Sequence, residues 1–374
     1  MAAMEKNIYH NKALQWGVYA VFFIALAIIP LVQDDAFILN QFATYGVYGM
    51  LALSISLCWG FGGILNLGQG IAFGLGAYGM AMTMQMQSQD PDINPIPPFM
   101  LNNALEELPF FWEPFWNTSA GIFLALLVPT LFYVIFGGLM FQARVAGPFF
   151  AIMTLAILSA LATLFIDLQP YTNGVNGISP PGALDLGFVV VDPYSSVSYW
   201  TVFVLLLVST VCAKLLTQSR FGLVVQALKN DSERVRFLGY HVAFYETAVY
   251  AVSGLIAALA GCCWAFLTQY VSPAQFDVGF SISMVIWAAI GGRNSLIWAI
   301  MGAFMVQGAQ SYVGDEFLNS WVLILGLFFI LVVRFLPGGF AGLTESLLGA
   351  LSTGGRRRGG DVPVDVSKAG TEGA

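Results

Sequence analysis

Long apolar runs, broken by short polar stretches, recur along nearly the whole chain: 13–32, 36–59, 67–86, 120–141, 147–166, 199–216, 243–267, 281–290, 295–313 and 318–336. The hydrocarbon of a bilayer is about 30 Å thick and an α-helix rises about 1.5 Å per residue, so roughly twenty apolar residues cross it. The pattern predicts an all-α polytopic membrane protein with about ten transmembrane helices. The run 281–290 is short for a full crossing, and a re-entrant helix is its alternative reading. The first run follows Lys6 and Lys12 and lacks an A-x-A cleavage site after it, so it is expected to remain as a first span. Residues 1–351 then form one membrane domain. The Gly-rich polar stretch 352–374 is expected to be a disordered tail.

Composition agrees with that class. Apolar residues make up 58% of the chain and charged residues 9%, against about 25% charged in soluble domains. Mean hydropathy is +0.77. The net charge of −7 matters less than where the charges fall. With ten spans and the N-terminus inside, all fourteen Lys and Arg lie on one side: Lys6, Lys12, Arg144, Lys214, Arg220, Lys229, Arg234, Arg236, Arg293, Arg334, Arg356, Arg357, Arg358 and Lys368. The opposite side holds thirteen of the 21 acids, most of them in the loops 87–119 and 167–198, which carry no Lys or Arg. By the positive-inside rule both termini and the polar segment 219–246 belong in the cytoplasm, and the two acidic loops outside. Phe110, Phe111, Trp112, Phe115 and Trp116 in the first of those loops suit the headgroup layer.

The segment 219–246 is the longest charge-bearing stretch between two apolar runs, and it has its own helix grammar. Asn230 stands as an N-cap with Glu233 three residues on, a capping-box spacing, and Gly239 stands where a helix stops. A short helix over 231–238 is predicted, with a second candidate turn over 221–228. Leu223, Val224, Leu228, Val235 and Leu238 alternate there with Arg220, Lys229, Arg234 and Arg236. Such a mixture fits a helix pair docked in a partner's groove, and fits a solvated basic loop equally well.

Chemistry of other kinds finds little support. Cys58, Cys212, Cys262 and Cys263 all fall in apolar runs, and His10 and His241 have no companions at metal-ligand spacing, so neither disulfides nor a metal is expected. No G-x-x-x-x-G-K-[ST] occurs, no nucleophile and base constellation is visible, and no cofactor or nucleic-acid partner is implied. The expected spans are almost free of ionisable residues, which argues against proton or sodium coupling and for energy supplied by a partner. Amides and hydroxyls remain, among them Asn66, Gln69 and Thr154. They suit a small, polar, uncharged solute, or bonds between helices. Residues 60–79 hold eight glycines, at 60, 62, 63, 68, 70, 74, 76 and 79. An interrupted helix there would let backbone groups face a cavity at membrane depth, and Gly70-x-x-x-Gly74 would equally allow close helix packing.

Three stretches resemble a known family: WGFGGILNLGQGIAFGLGAY over 59–78; GPFFAIMTLA with QPYTNGVNGI over 147–178; and 219–240 with SPAQF over 272–276 and ISMVIWAAIGGRNSL over 282–296. They are similar to the permease subunits of branched-chain amino acid importers of the ATP-binding-cassette class. RVRFLGY (234–240) and ELPFFW (107–112) look like the urea-type branch within it. The resemblance implies a bacterial cytoplasmic membrane and a pore shared with a sister permease subunit. It also implies two cytoplasmic ATP-binding subunits and an external solute-binding protein.

On that resemblance Arg220, Lys229, Asn230, Glu233, Arg234, Arg236, Leu238 and Gly239 couple to the ATPase. Asn66, Gln69, Gly70, Gly74 and Thr154 are candidates for the solute pathway. The expected cargo is urea or a short amide, with branched-chain amino acids as the alternative. A self-sufficient channel or secondary transporter is the rival class. Gln275 and Ser283 stand where the urea branch leads one to expect acids, and Asn294 and Trp298 where small residues are usual.

Overall fold

The computed structural model describes residues 12–313 except Phe188, together with 323, 326, 327, 330, 334 and 338–342. Residues 1–11, the tail 352–374 and most of the expected tenth span lie outside the described residues. The first nine apolar runs are all helical. They form α1 (Lys12–Val32), α2 (Ala36–Ile55), α3 (Gln69–Gln87), α4 (Thr118–Gln142), α5 (Pro148–Asp167) and α6 (Ser196–Gln218). The polar segment supplies α7 (Arg220–Asn230) and α8 (Ser232–Phe237), and α9 (Val242–Thr268), α10 (Val278–Gly291) and α11 (Leu296–Val313) follow. The chain is an all-α polytopic membrane protein. Among the described residues five helices are long and apolar enough to cross a bilayer, namely α2 with its extension Ser56–Phe61, α4, α5, α6 and α9. A sixth arises if α10 and α11, bent by 117° at their junction, count as one broken span. The short run at 281–290 is thus one limb of a bent pair that begins at Val278.

The centre of the bundle is α9, packed on α2, α3 and α4. Small residues let it approach α3 closely, because a Cβ at Gly76 would collide with the Ala258 carbonyl and one at Gly261 with the Phe73 carbonyl. Gln69 pairs with Ser253 while Gly76 meets Ala258, so α3 and α9 run parallel. On α4 the Tyr133 ring stacks on Tyr250 at a centroid distance of 4.3 Å. Helices α4 and α5 bury little of their surface within this chain and leave Phe123, Leu139, Phe149 and Ile152 exposed.

The two ends of the bundle differ in charge. At one end Lys229 reaches the Gly60 carbonyl and Arg293 lies over Trp59, which gathers α7, the end of α2 and the α10–α11 turn into a basic end. At the other end Gln87 bonds Thr118 and Asp185, and Gln269 bonds the Gly182 carbonyl. The loop 168–195 is clasped there by a two-residue antiparallel pair, Leu184–Asp185 with Val190–Val191, and by an Ile178–Val271 bridge. Of the aromatic cluster, Phe110 is exposed while Phe115 is buried.

Candidate functional site

The chain breaks its helical course twice within the bundle, and the two breaks meet. The first lies between α2 and α3. A π-helical turn, Ser56–Phe61, runs into residues 62–68, which are not helical. The five pathway candidates from the sequence gather here. Asn66 donates to Gln69 and to the Tyr133 hydroxyl, and its own oxygen accepts from Gly68 N at 2.9 Å. Gln69 Nε2 donates to Ser54 Oγ, Ser253 O and Ser253 Oγ at 2.9–3.1 Å. Thr154 Oγ1 accepts from Leu67 N. Asn66, Gln69 and Thr154 are 0–1% exposed, so each satisfies its polar atoms inside the chain. Such bonds are worth about 0.6–2 kcal/mol each between membrane helices. Together they hold a non-helical backbone at membrane depth.

The second break is residues 269–277. Ser272 and Gln275 form a capping box around the turn Pro273–Phe276, and Asp277 then caps α10, its Oδ2 accepting from Phe280 N at 3.0 Å. The two breaks are stitched by Ser281, whose hydroxyl donates to Leu67 O at 2.6 Å and accepts from Gly70 N at 3.2 Å. A Cβ on Gly70 would lie 3.0 Å from the Gln275 carbonyl, and one on Gly74 would strike the Phe276 ring. Residues 275–281 therefore lie alongside 70–74.

The depth of this junction follows from α9. Its Ser253 and Ala258, which face Gln69 and Gly76, stand well inside a helix that runs from Val242 to Thr268. At about 1.5 Å per residue they are roughly 15 to 24 Å from either end. Asp277 sits in this middle zone, and its side chain is exposed on the chain's surface. A carboxylate facing lipid at such depth costs about 2.5–3.5 kcal/mol on insertion scales. The apolar run 281–290 starts after Asp277, so hydropathy alone puts this residue in the polar stretch between two runs. The capping turn that carries it inward has no hydrophobic signature.

At the basic end, α7 and α8 form a corner. Leu228, Val235 and Val242 pack together on its inner side, while Leu223, Phe237, Leu238 and Phe244 are 62–89% exposed. Arg220 and Arg234 face outward, Arg236 pairs with Glu233 at 2.9 Å, and Gly239 adopts φ +88°. A cavity of about 290 Å³ beside the corner is lined in part by Arg144, Arg236, Tyr240 and His241.

The expected N-cap is displaced by one residue. Asn230 stays helical and donates to Gln226 O, whereas Asp231 is extended at φ −158° and accepts from Arg234 N at 3.1 Å. Glu233 therefore pairs with Arg236 rather than reaching back to close a capping box. The carboxylate of Asp231 outcompetes the amide because it also pairs with Arg234 Nε at 2.8 Å.

Lys229 is exposed overall, yet its ammonium is not wholly in water. Its Nζ turns inward and donates to the Gly60 carbonyl and to Asn294 Oδ1 at 3.0 Å. Burial, and after it repulsion from Arg293, lowers its pKa. Asn294, one of the departures from the urea-type pattern, is thus a partner of Lys229. Ser56 Oγ donates to Arg293 O at 2.9 Å, so α7, the π-helical turn and the α10–α11 junction are tied at one point.

A broken-helix core thus adjoins a basic helical corner that packs on α6 and α9 and reaches Gly60 through Lys229. Residues 37–333 match the family described as "Branched-chain amino acid transport system / permease component", and the chain belongs to that family. It is 25% identical over 324 residues to the high-affinity branched-chain amino acid transport system permease protein LivM of Salmonella typhimurium, covering 81% of this chain and 69% of that one. It is 23% identical over 226 residues to the ribose import permease protein RbsC of Haemophilus influenzae, covering 58% and 67%. It is 33% identical over 147 residues to the fructose import permease protein FrcC of Rhizobium meliloti, covering 36% and 40%. No solved structure matches.

Proposed function

We propose that this chain is one of two permease subunits of an ATP-binding-cassette importer for urea or a short amide, in the cytoplasmic membrane of a bacterium. In this reading about ten spans leave both termini and the α7–α8 corner in the cytoplasm. The two acidic loops face an external solute-binding protein. The observation that carries the reading is the corner itself. Its exposed Leu223, Phe237 and Leu238, ringed by Arg220, Arg234 and Arg236, suit a groove on an ATP-binding subunit. Lys229 links the same corner to Gly60, at the first break, and to Asn294, in the α10–α11 turn. Asn230, Glu233 and Gly239 set its shape. Asn66, Gln69, Gly70, Gly74 and Thr154 act by holding the broken backbone that borders the pathway.

The urea assignment is supported by the likeness of residues 107–112 and 234–240 to the urea-type branch. A second reading, branched-chain amino acids, is favoured by the likeness to LivM over 81% of this chain. The relatives RbsC and FrcC carry sugars in their names, so kinship alone leaves the solute open.

The test is co-purification of the tagged chain from its native membrane, followed by ATP hydrolysis in the presence of the binding protein with urea, acetamide or leucine added. Stimulation by urea or acetamide supports the first reading and stimulation by leucine the second. A chain that purifies alone and passes urea in liposomes without ATP overturns both.

A further inference from the structure

We infer that Asp277 is the solute-recognising group of the permeation pathway, a carboxylate that accepts N–H bonds from an amide or amine passing the middle of the membrane. The inference rests on the permease reading above and adds a residue to it.

Four observations converge. Asp277 lies at the level of Gly70–Gly74, in the middle zone of the bundle, yet its side chain is exposed. One carboxylate oxygen caps α10 through Phe280 N, and Oδ1 has no hydrogen bond among the described residues. The ion pairs among the described residues are Arg234–Asp231 and Arg236–Glu233, both in the basic corner, and neither involves Asp277. The preceding residue, Phe276, stacks on Tyr78, whose hydroxyl is buried and also without a partner among the described residues.

Membrane proteins keep unpaired carboxylates and non-helical backbone at this depth only against protein or water. Ala274, Asp277 and Gly279 are all exposed, so the surface they form belongs to an aqueous path or to a covering subunit. Recognition follows from the chemistry. A carboxylate offers two acceptors in one plane and matches the paired N–H groups of urea or of a primary amide.

The test uses the complete importer in liposomes with labelled urea and labelled acetamide, comparing wild type, Asp277→Asn and Tyr78→Phe. Asp277→Asn is expected to raise the half-saturating concentration tenfold or more for both probes in an importer that still assembles. Tyr78→Phe is expected to have a smaller effect in the same direction. In a Cys212→Ser background, which removes the exposed thiol while Cys58, Cys262 and Cys263 stay buried, Asp277→Cys should react with a membrane-impermeant thiol reagent. Urea should slow that reaction. Wild-type half-saturation in Asp277→Asn, or an unreactive thiol at 277 in an assembled importer, overturns the inference and leaves the permease reading standing. Loss of assembly in Asp277→Asn also overturns it, since Asp277 would then pair with the sister subunit. A wild-type complex that transports neither probe but imports leucine refutes the urea reading instead.

Discussion

Single residues near the two breaks have sharply different tolerances, and space decides which. A Cβ on Gly60 would strike the Arg293 carbonyl, which Ser56 also holds. Backbone on both sides leaves nothing to rotate away. Gly60→Ala is expected to cost about 3 kcal/mol, the upper end of overpacking effects, and to show as a lowered melting temperature of purified protein. Gly138→Ala, with nothing within 4 Å of the new methyl, should melt like wild type or slightly higher. Equal melting of the two variants would show that the Gly60–Arg293 approach is absent in the membrane.

Lys229 allows a test by pH. Because burial and then Arg293 lower its pKa from the ordinary value of 10.5, the folded chain holds that proton less tightly than the unfolded one. Stability from this group therefore rises with pH between the lowered value and 10.5. Lys229→Met should remove the rise, so melting temperatures followed from neutral to alkaline pH should move in favour of wild type. Parallel curves at every pH would mean that Lys229 is solvated.

The glycines and the polar residues of 60–79 stood out in the sequence, but which of them touch backbone did not. A glycine that admits a carbonyl, such as Gly60, and one that faces empty space, such as Gly138, are identical letters. The same limit hid Lys229. Nothing about a lysine in a basic segment tells whether its long stem lies along water or threads inward.

Among the elements, α7 and α8 carry the clearest division of labour. Val235 and Leu228 face each other inside the corner, while Phe237 and Leu238 face out. If the proposed docking holds, Leu238→Asp should abolish capture of the ATP-binding subunits in a pull-down and leave membrane insertion intact. Leu228→Ala should loosen the corner by about 2–5 kcal/mol, the usual cost of emptying a buried leucine site, and raise its proteolysis. If Leu238→Asp still captures those subunits, docking lies elsewhere. The periodicity of 219–246 predicted both short helices because amphipathic spacing and a stop glycine are local signals. It misplaced the N-cap because Asn230 and Asp231 are adjacent and equally suited by type, and only the fold distinguishes them. The bent pair α10–α11 was half legible. Its length betrayed a short helix, but the inward turn at 269–277 depends on contacts with residues distant in sequence, among them Leu67 and Ile178.

At the scale of the whole molecule, hydropathy predicted the class and nearly every helix, since each apolar run closes its backbone bonds within itself. Charge predicted the two-ended organisation, and the structure brings 59–60, 229 and 293–294 together at the basic end. What hydropathy could not convey is how the helices pair, because that depends on small residues meeting across α3 and α9. If the proposed topology holds, a cysteine introduced at Arg234 should react with an impermeant reagent only in inverted vesicles, and one at Glu107 only in right-side-out cells. The reverse pattern would invert the orientation.

The Gln69–Ser253 bond also bears on how the protein is made. Helix α3 is rich in glycine and glutamine and is not among the helices apolar enough to hold a bilayer by composition. Its amide finds Ser54 early, but Ser253 lies 184 residues further along. At the usual 5–20 residues per second, the ribosome needs roughly 10 to 40 s to deliver that partner. During this interval the nascent α3 gains α4, on which Gly79 meets Ala125 and Thr83 meets Gly121. A chain halted before α9 has α4 to hold one face of its third helix, while Gln69 and Gly76 still lack the helix that covers them.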